Sequence, residues 1–164
     1  MDHSKQFYIG GQWVAPRTTD TLDVINPATE QPITAIAMGG AEDVDAAVAA
    51  AKTAFETFSL TTREERLELL DRIIAVYSAR LDDLADTISQ EMGAPLWLAQ
   101  AAQAVAGLAH LGTARAVLAD FEFEHAQGTT QIVREPVGVC GLITPWNWPL
   151  NQICLLYTSP SPRD

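Results

Sequence analysis

Apolar and polar positions change their period twice along the chain. Over residues 7–14 two short apolar runs flank Gly10-Gly11, a pair whose tolerance of positive φ predicts a hairpin turn. Leu22 and Val24 alternate with polar neighbours over 21–25, and Asn26-Pro27 ends that strand, because the residue before proline is pushed out of the helical region. A third short strand is expected over 33–37, closed by Gly39-Gly40.

The period then becomes helical. Val44, Val48, Ala51, Phe55 and Phe58 recur at spacings of four and three and predict a helix over 42–58, with Glu42, Asp43 and Asp45 at the end where the helix dipole favours negative charge. Leu67, Leu70, Ile74, Tyr77, Leu81, Leu84 and Ile88 form one continuous stripe, so a single second helix is expected. Thr62 and Glu65 have capping-box spacing at its start, and Gly93 before Pro95 is its stop. Glu68 and Arg72 are placed for an i,i+4 ion pair. An alanine-rich third helix is expected over 96–118, where Gly107 and Gly112 sacrifice helicity and permit close packing.

Past residue 120 the period is two. Phe121 and Phe123 alternate with Glu122 and Glu124, Gln127-Gly128 offers a turn, and Ile132-Val133 returns, which predicts a β-hairpin. The run Val137-Gly138-Val139-Cys140-Gly141-Leu142-Ile143 reads as a strand buried on both faces, as in a parallel sheet. The fold class is therefore α/β.

Composition narrows the function. The 164 residues are 48% hydrophobic and 19% charged, an ordinary globular balance, and about one domain's length. A net charge of -11 with no basic patch argues against nucleic acid as a partner. The polar start lacks signal-peptide character, no run nears the ~18 apolar residues of a membrane span, and a cytoplasmic location is the expectation. Cys140 and Cys154 have no metal-ligand spacing, the three histidines are scattered, and no metal is expected. Cys140, flanked by Val139 and Gly141, reads as a buried small hydrophobe rather than a nucleophile.

One segment is rich in chemistry: Thr144-Pro145-Trp146-Asn147-Trp148-Pro149, directly after the apolar run. In open α/β sheets ligands bind beyond the carboxyl ends of strands. The prolines fix backbone angles, and Asn147 offers a neutral amide donor for an oxygen that turns negative during a reaction. On residue chemistry alone an equal alternative stands, with the tryptophans in the core and Asn147 capping a helix.

Pro145-Trp146-Asn147-Trp148-Pro149, preceded by Glu135-Pro136-Val137-Gly138-Val139, resembles a motif of the aldehyde dehydrogenase superfamily. Ile9-Gly10-Gly11-Gln12-Trp13, Val24-Ile25-Asn26-Pro27-Ala28-Thr29 and Glu91-Met92-Gly93-Ala94-Pro95 are similar to further family landmarks, in the family's order. The resemblance implies oxidation of an aldehyde to a carboxylic acid with NAD or NADP, through a cysteine thiolate and a glutamate-activated water. It implies Asn147 as an oxyanion-hole donor and Thr144, Pro145, Trp146 and Asn147 along the cofactor. Trp148, Asn151 and Gln152 are implied in the substrate tunnel. The implied fold is the N-terminal part of the aldehyde dehydrogenase fold, with 137–143 as the first strand of a Rossmann-like sheet.

The family's nucleophile, general-base glutamate, glycine-bearing cofactor loop and lysine would lie beyond Ile153. Residues 1–153 are thus expected to be an incomplete cofactor-binding domain, with an oligomerisation hairpin at about 121–134 that pairs subunits of a homodimer or homotetramer. The fragment is expected to be inactive and, with a lone apolar strand, prone to aggregate. Residues 154–164, ending in Ser159-Pro160-Ser161-Pro162-Arg163-Asp164, resemble the translation of a transposon-end sequencing adaptor, a non-native tail; disorder is the alternative. The rival function is a stand-alone helical interaction module that uses the second helix's stripe. Acyl-CoA release instead of acid is a further possibility within the enzyme class.

Overall fold

The computed structural model describes residues 2–158. Its first third is two antiparallel hairpins and a helix. β1 (Phe7–Ile9) pairs with β2 (Gln12–Val14), with Gly10 and Gly11 at φ 59° and 81°, the positive angles the turn requires. β3 (Thr21–Asn26) pairs with β4 (Gln31–Ala37) across a bulge between Val24 and Ile25. Asn26 ends β3 as expected, and its side-chain oxygen accepts from the N–H groups of Ala28 and Thr29 at 2.9 and 3.3 Å, an Asx turn. α1 (Ala41–Phe58) follows. The Asp43 carboxylate, buried at its start, accepts from the N–H groups of Gly40 (2.9 Å) and Arg17 (3.0 Å).

The expected single second helix is two. α2 (Arg63–Ala79) opens with the capping box: Glu65 N–H donates to Thr62 Oγ1 (3.1 Å) and Thr62 N–H to Glu65 Oε2 (2.8 Å). The helix breaks at Arg80 (φ -115°, ψ 17°), and α3 (Leu81–Met92) runs on to Gly93 in the left-handed conformation. The break re-aims the stripe. Leu70, Ile73, Ile74 and Tyr77 join one apolar cluster with Leu111 and Leu118, while Leu81, Ala85 and Ile88 join another with Ala94, Ala99 and Ala104. The Glu68–Arg72 pair is not formed among the described residues; Arg115 instead makes a bidentate bridge to Asp71 at 2.7 and 3.0 Å, tying the last long helix to α2.

The third predicted helix is composite. α4 (Leu96–Leu98) winds into a π-helical segment (Ala99–Gln103), which continues as α5 (Ala104–Asp120). Gly107 is a close-packing site: a Cβ there would overlap the Tyr77 hydroxyl, which donates to the Ala104 carbonyl oxygen at 2.7 Å. Gly112 is not, having open space around it, so the packing role expected of it is corrected.

The last hairpin, β5 (Glu124–Gln127) with β6 (Thr130–Val133), starts three residues later than the Phe-Glu alternation suggests. The rings of Phe121 and Phe123 turn onto each other edge to face at 4.9 Å, with the Arg134 guanidinium over the Phe121 ring, so they leave the alternating register. The strand expected over 137–143 pairs with nothing among the described residues, and the three sheets are all two-stranded hairpins. Without ladder partners its side chains face solvent, Val137 at 82% and Ile143 at 93% exposure. Cys140, expected to be buried, is exposed for the same reason. α6 (Pro149–Thr158) closes the described chain and packs along α5.

Candidate functional site

Residues 143–148 form an extended segment that bends at Trp146, Asn147 and Trp148 and enters α6 at Pro149. Two prolines bracket the bend, each locking φ and removing a backbone donor, so the turn is set by covalent geometry rather than by a ladder. The first helical bond of α6 runs from Gln152 N–H to the Trp148 carbonyl oxygen, 3.0 Å.

Along this stretch Thr144, Pro145, Trp146 and Asn147 are all exposed, Trp146 at 78%. Trp148 is at the margin, with Asn151 and Gln152 partly buried on the first turn of α6. The tryptophans are therefore not core residues in this chain. The Asn147 side chain makes no hydrogen bond among the described residues, so it does not cap α6. Its amide is left free to donate to a ligand. The candidate residues thus fall on one bend and the helix turn after it.

Asn151 does have a partner. His110 Nε2 on α5 lies 2.7 Å from Asn151 Oδ1; since that amide oxygen only accepts, the ring nitrogen donates. Nothing in the sequence links these positions, 41 residues apart, because His110 is one of three scattered histidines. Among the described residues no group of histidine, cysteine and carboxylate side chains could hold a metal ion.

Burial shifts two groups, one on α6 and one packed against it. Burial, with a smaller contribution from the neighbouring Cys154, pushes the Tyr77 phenol from 10.0 up to about 12. Burial also raises the Cys154 thiol. Gly138 (φ 116°), Val139 and Cys140 face Ala51, Ala54, Phe55 and Phe58 of α1 across an open groove, and nothing beside Cys140 marks it as a nucleophile. Its sulfur is 3.8 Å from the Gly138 carbonyl oxygen.

Known proteins resemble the chain over most of its length. The family model described as the aldehyde dehydrogenase family matches residues 13–158. A 3-succinoylsemialdehyde-pyridine dehydrogenase from a Pseudomonas species is 53% identical over 154 residues, covering 93% of this chain and 32% of the relative. Crystal structures superpose closely. Aldehyde dehydrogenase C from Pseudomonas syringae, a mutant bound to NAD+ and octanal, has a TM-score of 0.90 at 46% identity, covering 93% of this chain and 31% of that one. An aldehyde dehydrogenase from Bartonella henselae gives 0.90 at 40% identity, covering 92% and 33%. The chain thus spans about a third of the length of the relatives it matches. No helix among the described residues is long and apolar enough to cross a membrane.

Proposed function

Because the chain belongs to the aldehyde dehydrogenase family, we propose that it is the N-terminal part of an enzyme that oxidises an aldehyde to a carboxylic acid with NAD+ or NADP+. The observation that carries the reading is the free Asn147 amide on a proline-bracketed bend. In this reading the amide N–H donates to the substrate oxygen as it gains negative charge, a donor worth about 3 kcal/mol in an enclosed site. The nicotinamide, when bound, accepts the hydride. Thr144, Pro145, Trp146 and Asn147 would lie along it, and no side chain among them has a hydrogen-bond partner among the described residues, which fits a segment that meets a ligand. Trp148, Asn151 and Gln152 line the approach of the aldehyde, and the relatives make octanal and a pyridine-bearing semialdehyde the first substrates to test.

The cysteine nucleophile and the glutamate base belong to the part of the enzyme outside these residues. The 164-residue chain alone is therefore inactive, and residues 1–153 constitute the incomplete cofactor-binding domain. The β5–β6 hairpin pairs subunits of a homodimer or homotetramer, and the enzyme acts in the cytoplasm. The stand-alone interaction module loses its proposed surface, because Leu70, Ile74 and Tyr77 of the α2 stripe pack with Leu111 and Leu118 of α5.

Asn147→Ala in the full-length protein tests the proposal. Turnover drops by at least about ten-fold with the fold intact, a lower bound on losing one oxyanion donor. Wild-type turnover in that variant refutes the role.

A further inference from the structure

The two prolines set the shape of the Asn147 bend but do not tie it to the rest of the chain. No side chain of residues 143–148 makes a hydrogen bond among the described residues, so where Asn147 sits depends on how the start of α6 is anchored. Leu150 supplies an apolar anchor against the Ala85, Ile88 and Ala99 cluster. Apolar contact fixes depth but leaves sliding and rotation open, because it has no direction. The bond from His110 Nε2 to Asn151 Oδ1 is directional, and it is the one side-chain hydrogen bond from residues 143–153 to another element among the described residues. Asn151 is on the first turn of α6, which starts two residues after Asn147, so the bond fixes the rotation of the turn that the bend leads into. Cys154 adds a further contact in the second cluster, but it lies in the segment that resembles an adaptor, whereas His110, Leu150 and Asn151 all precede it.

We propose that His110 is a positioning residue for the reaction: by donating to Asn151 it orients the first turn of α6 and so aims the Asn147 amide. The inference rests on the oxyanion role of Asn147 and adds a residue that touches neither substrate nor cofactor. Substrate is bound before the oxyanion forms, so a misaimed amide is felt in kcat. An aldehyde-contacting histidine would instead be felt in KM.

The experiment uses the full-length protein with NAD+ and octanal or a pyridine-bearing semialdehyde, comparing wild type with His110→Ala, His110→Gln and Asn151→Leu. His110→Ala lowers kcat about five- to ten-fold with KM for the aldehyde little changed, the size expected from a small misplacement of one catalytic donor. His110→Gln, whose amide N–H can reach the same oxygen, recovers most of that rate. Asn151→Leu combined with His110→Ala loses no more kcat than Asn151→Leu alone, because both remove one bond. Hydrogen exchange in the peptide 147–153 is faster in His110→Ala and unchanged in α1. An unchanged kcat in His110→Ala, a loss confined to KM, or no recovery in His110→Gln overturns the inference while leaving the functional reading intact. A wild-type protein that oxidises no aldehyde overturns that reading, and the inference with it.

Discussion

Gly107 and Gly112 stand on one helix, five residues apart, and the structure assigns them opposite responses to the same change. A Cβ at Gly107 would overlap the Tyr77 hydroxyl and stand 3.0 Å from both Tyr77 Cζ and Cys154 Sγ, while a Cβ at Gly112 meets nothing within 4 Å. Replacing glycine by alanine inside a helix gains about 1 kcal/mol of intrinsic preference. At Gly112 that gain is uncompensated. At Gly107 the tyrosine must move, which forfeits its hydrogen bond to the Ala104 carbonyl, about 1 kcal/mol, and adds overpacking of about 1–3 kcal/mol. The net is a loss of roughly 1–3 kcal/mol at Gly107 against a gain of up to about 1 kcal/mol at Gly112. The assay is urea unfolding of the full-length protein, each alanine variant beside wild type. Tyr77→Phe adds a control: it removes the overlapping oxygen, so the double variant with Gly107→Ala is less destabilised than the two single losses added together. Equal midpoints for the two alanine variants would refute the contact between α2 and α5 on which this rests.

Three other outcomes are expected. The Arg115 guanidinium holds the Asp71 carboxyl below its ordinary 3.8, so the bridge contributes stability above that pH and loses it as pH falls through the lowered folded-state value. Asp71→Asn should therefore flatten the acid limb of a stability-against-pH curve and leave its alkaline limb alone. Residues 1–153 expressed by themselves should scatter light and form no monodisperse species, since Val137, Leu142 and Ile143 are left exposed; a sharp cooperative melt from a monomeric sample would contradict this. Reading the source DNA past the codon for Ile153 should reveal a frame with a cysteine nucleophile and a glutamate base in place of 154–164. A genome that encodes that tail followed by a stop would remove the enzyme reading.

What could be read from the sequence follows the range of the interaction involved. Local devices were legible: the Gly10-Gly11 turn, the Asn26 stop, the Thr62–Glu65 box and the Gly93 cap all depend on a few adjacent residues. The break at Arg80 was not, because no glycine or proline marks it; it exists so that two halves of one stripe can face different clusters. The same holds for the strand over 137–143. Its apolar pattern states what it requires, but the neighbours that would satisfy it are not among the described residues. At the site, the order of residues 144–152 was plain from the motif, while the His110–Asn151 bond was hidden, since a single histidine carries no signal until a fold supplies its partner.

The π-helical segment has a consequence for how this region tolerates change in length. Ala99 and Ala104 are both fully enclosed in one cluster, although residues five apart in a regular α-helix would point about 140° away from each other. The wider winding, with Ala104 N–H bonded to the Ala99 carbonyl oxygen, absorbs one residue beyond a regular turn and returns the two alanines to the same side. The helix thus behaves as though it already contained an insertion. Deleting one residue between positions 99 and 104 would let the backbone relax to ordinary α-helical spacing with α5 still in phase, whereas a deletion farther along α5 would rotate every later residue away from α6. Phase, rather than side-chain size, is what this part of the core conserves.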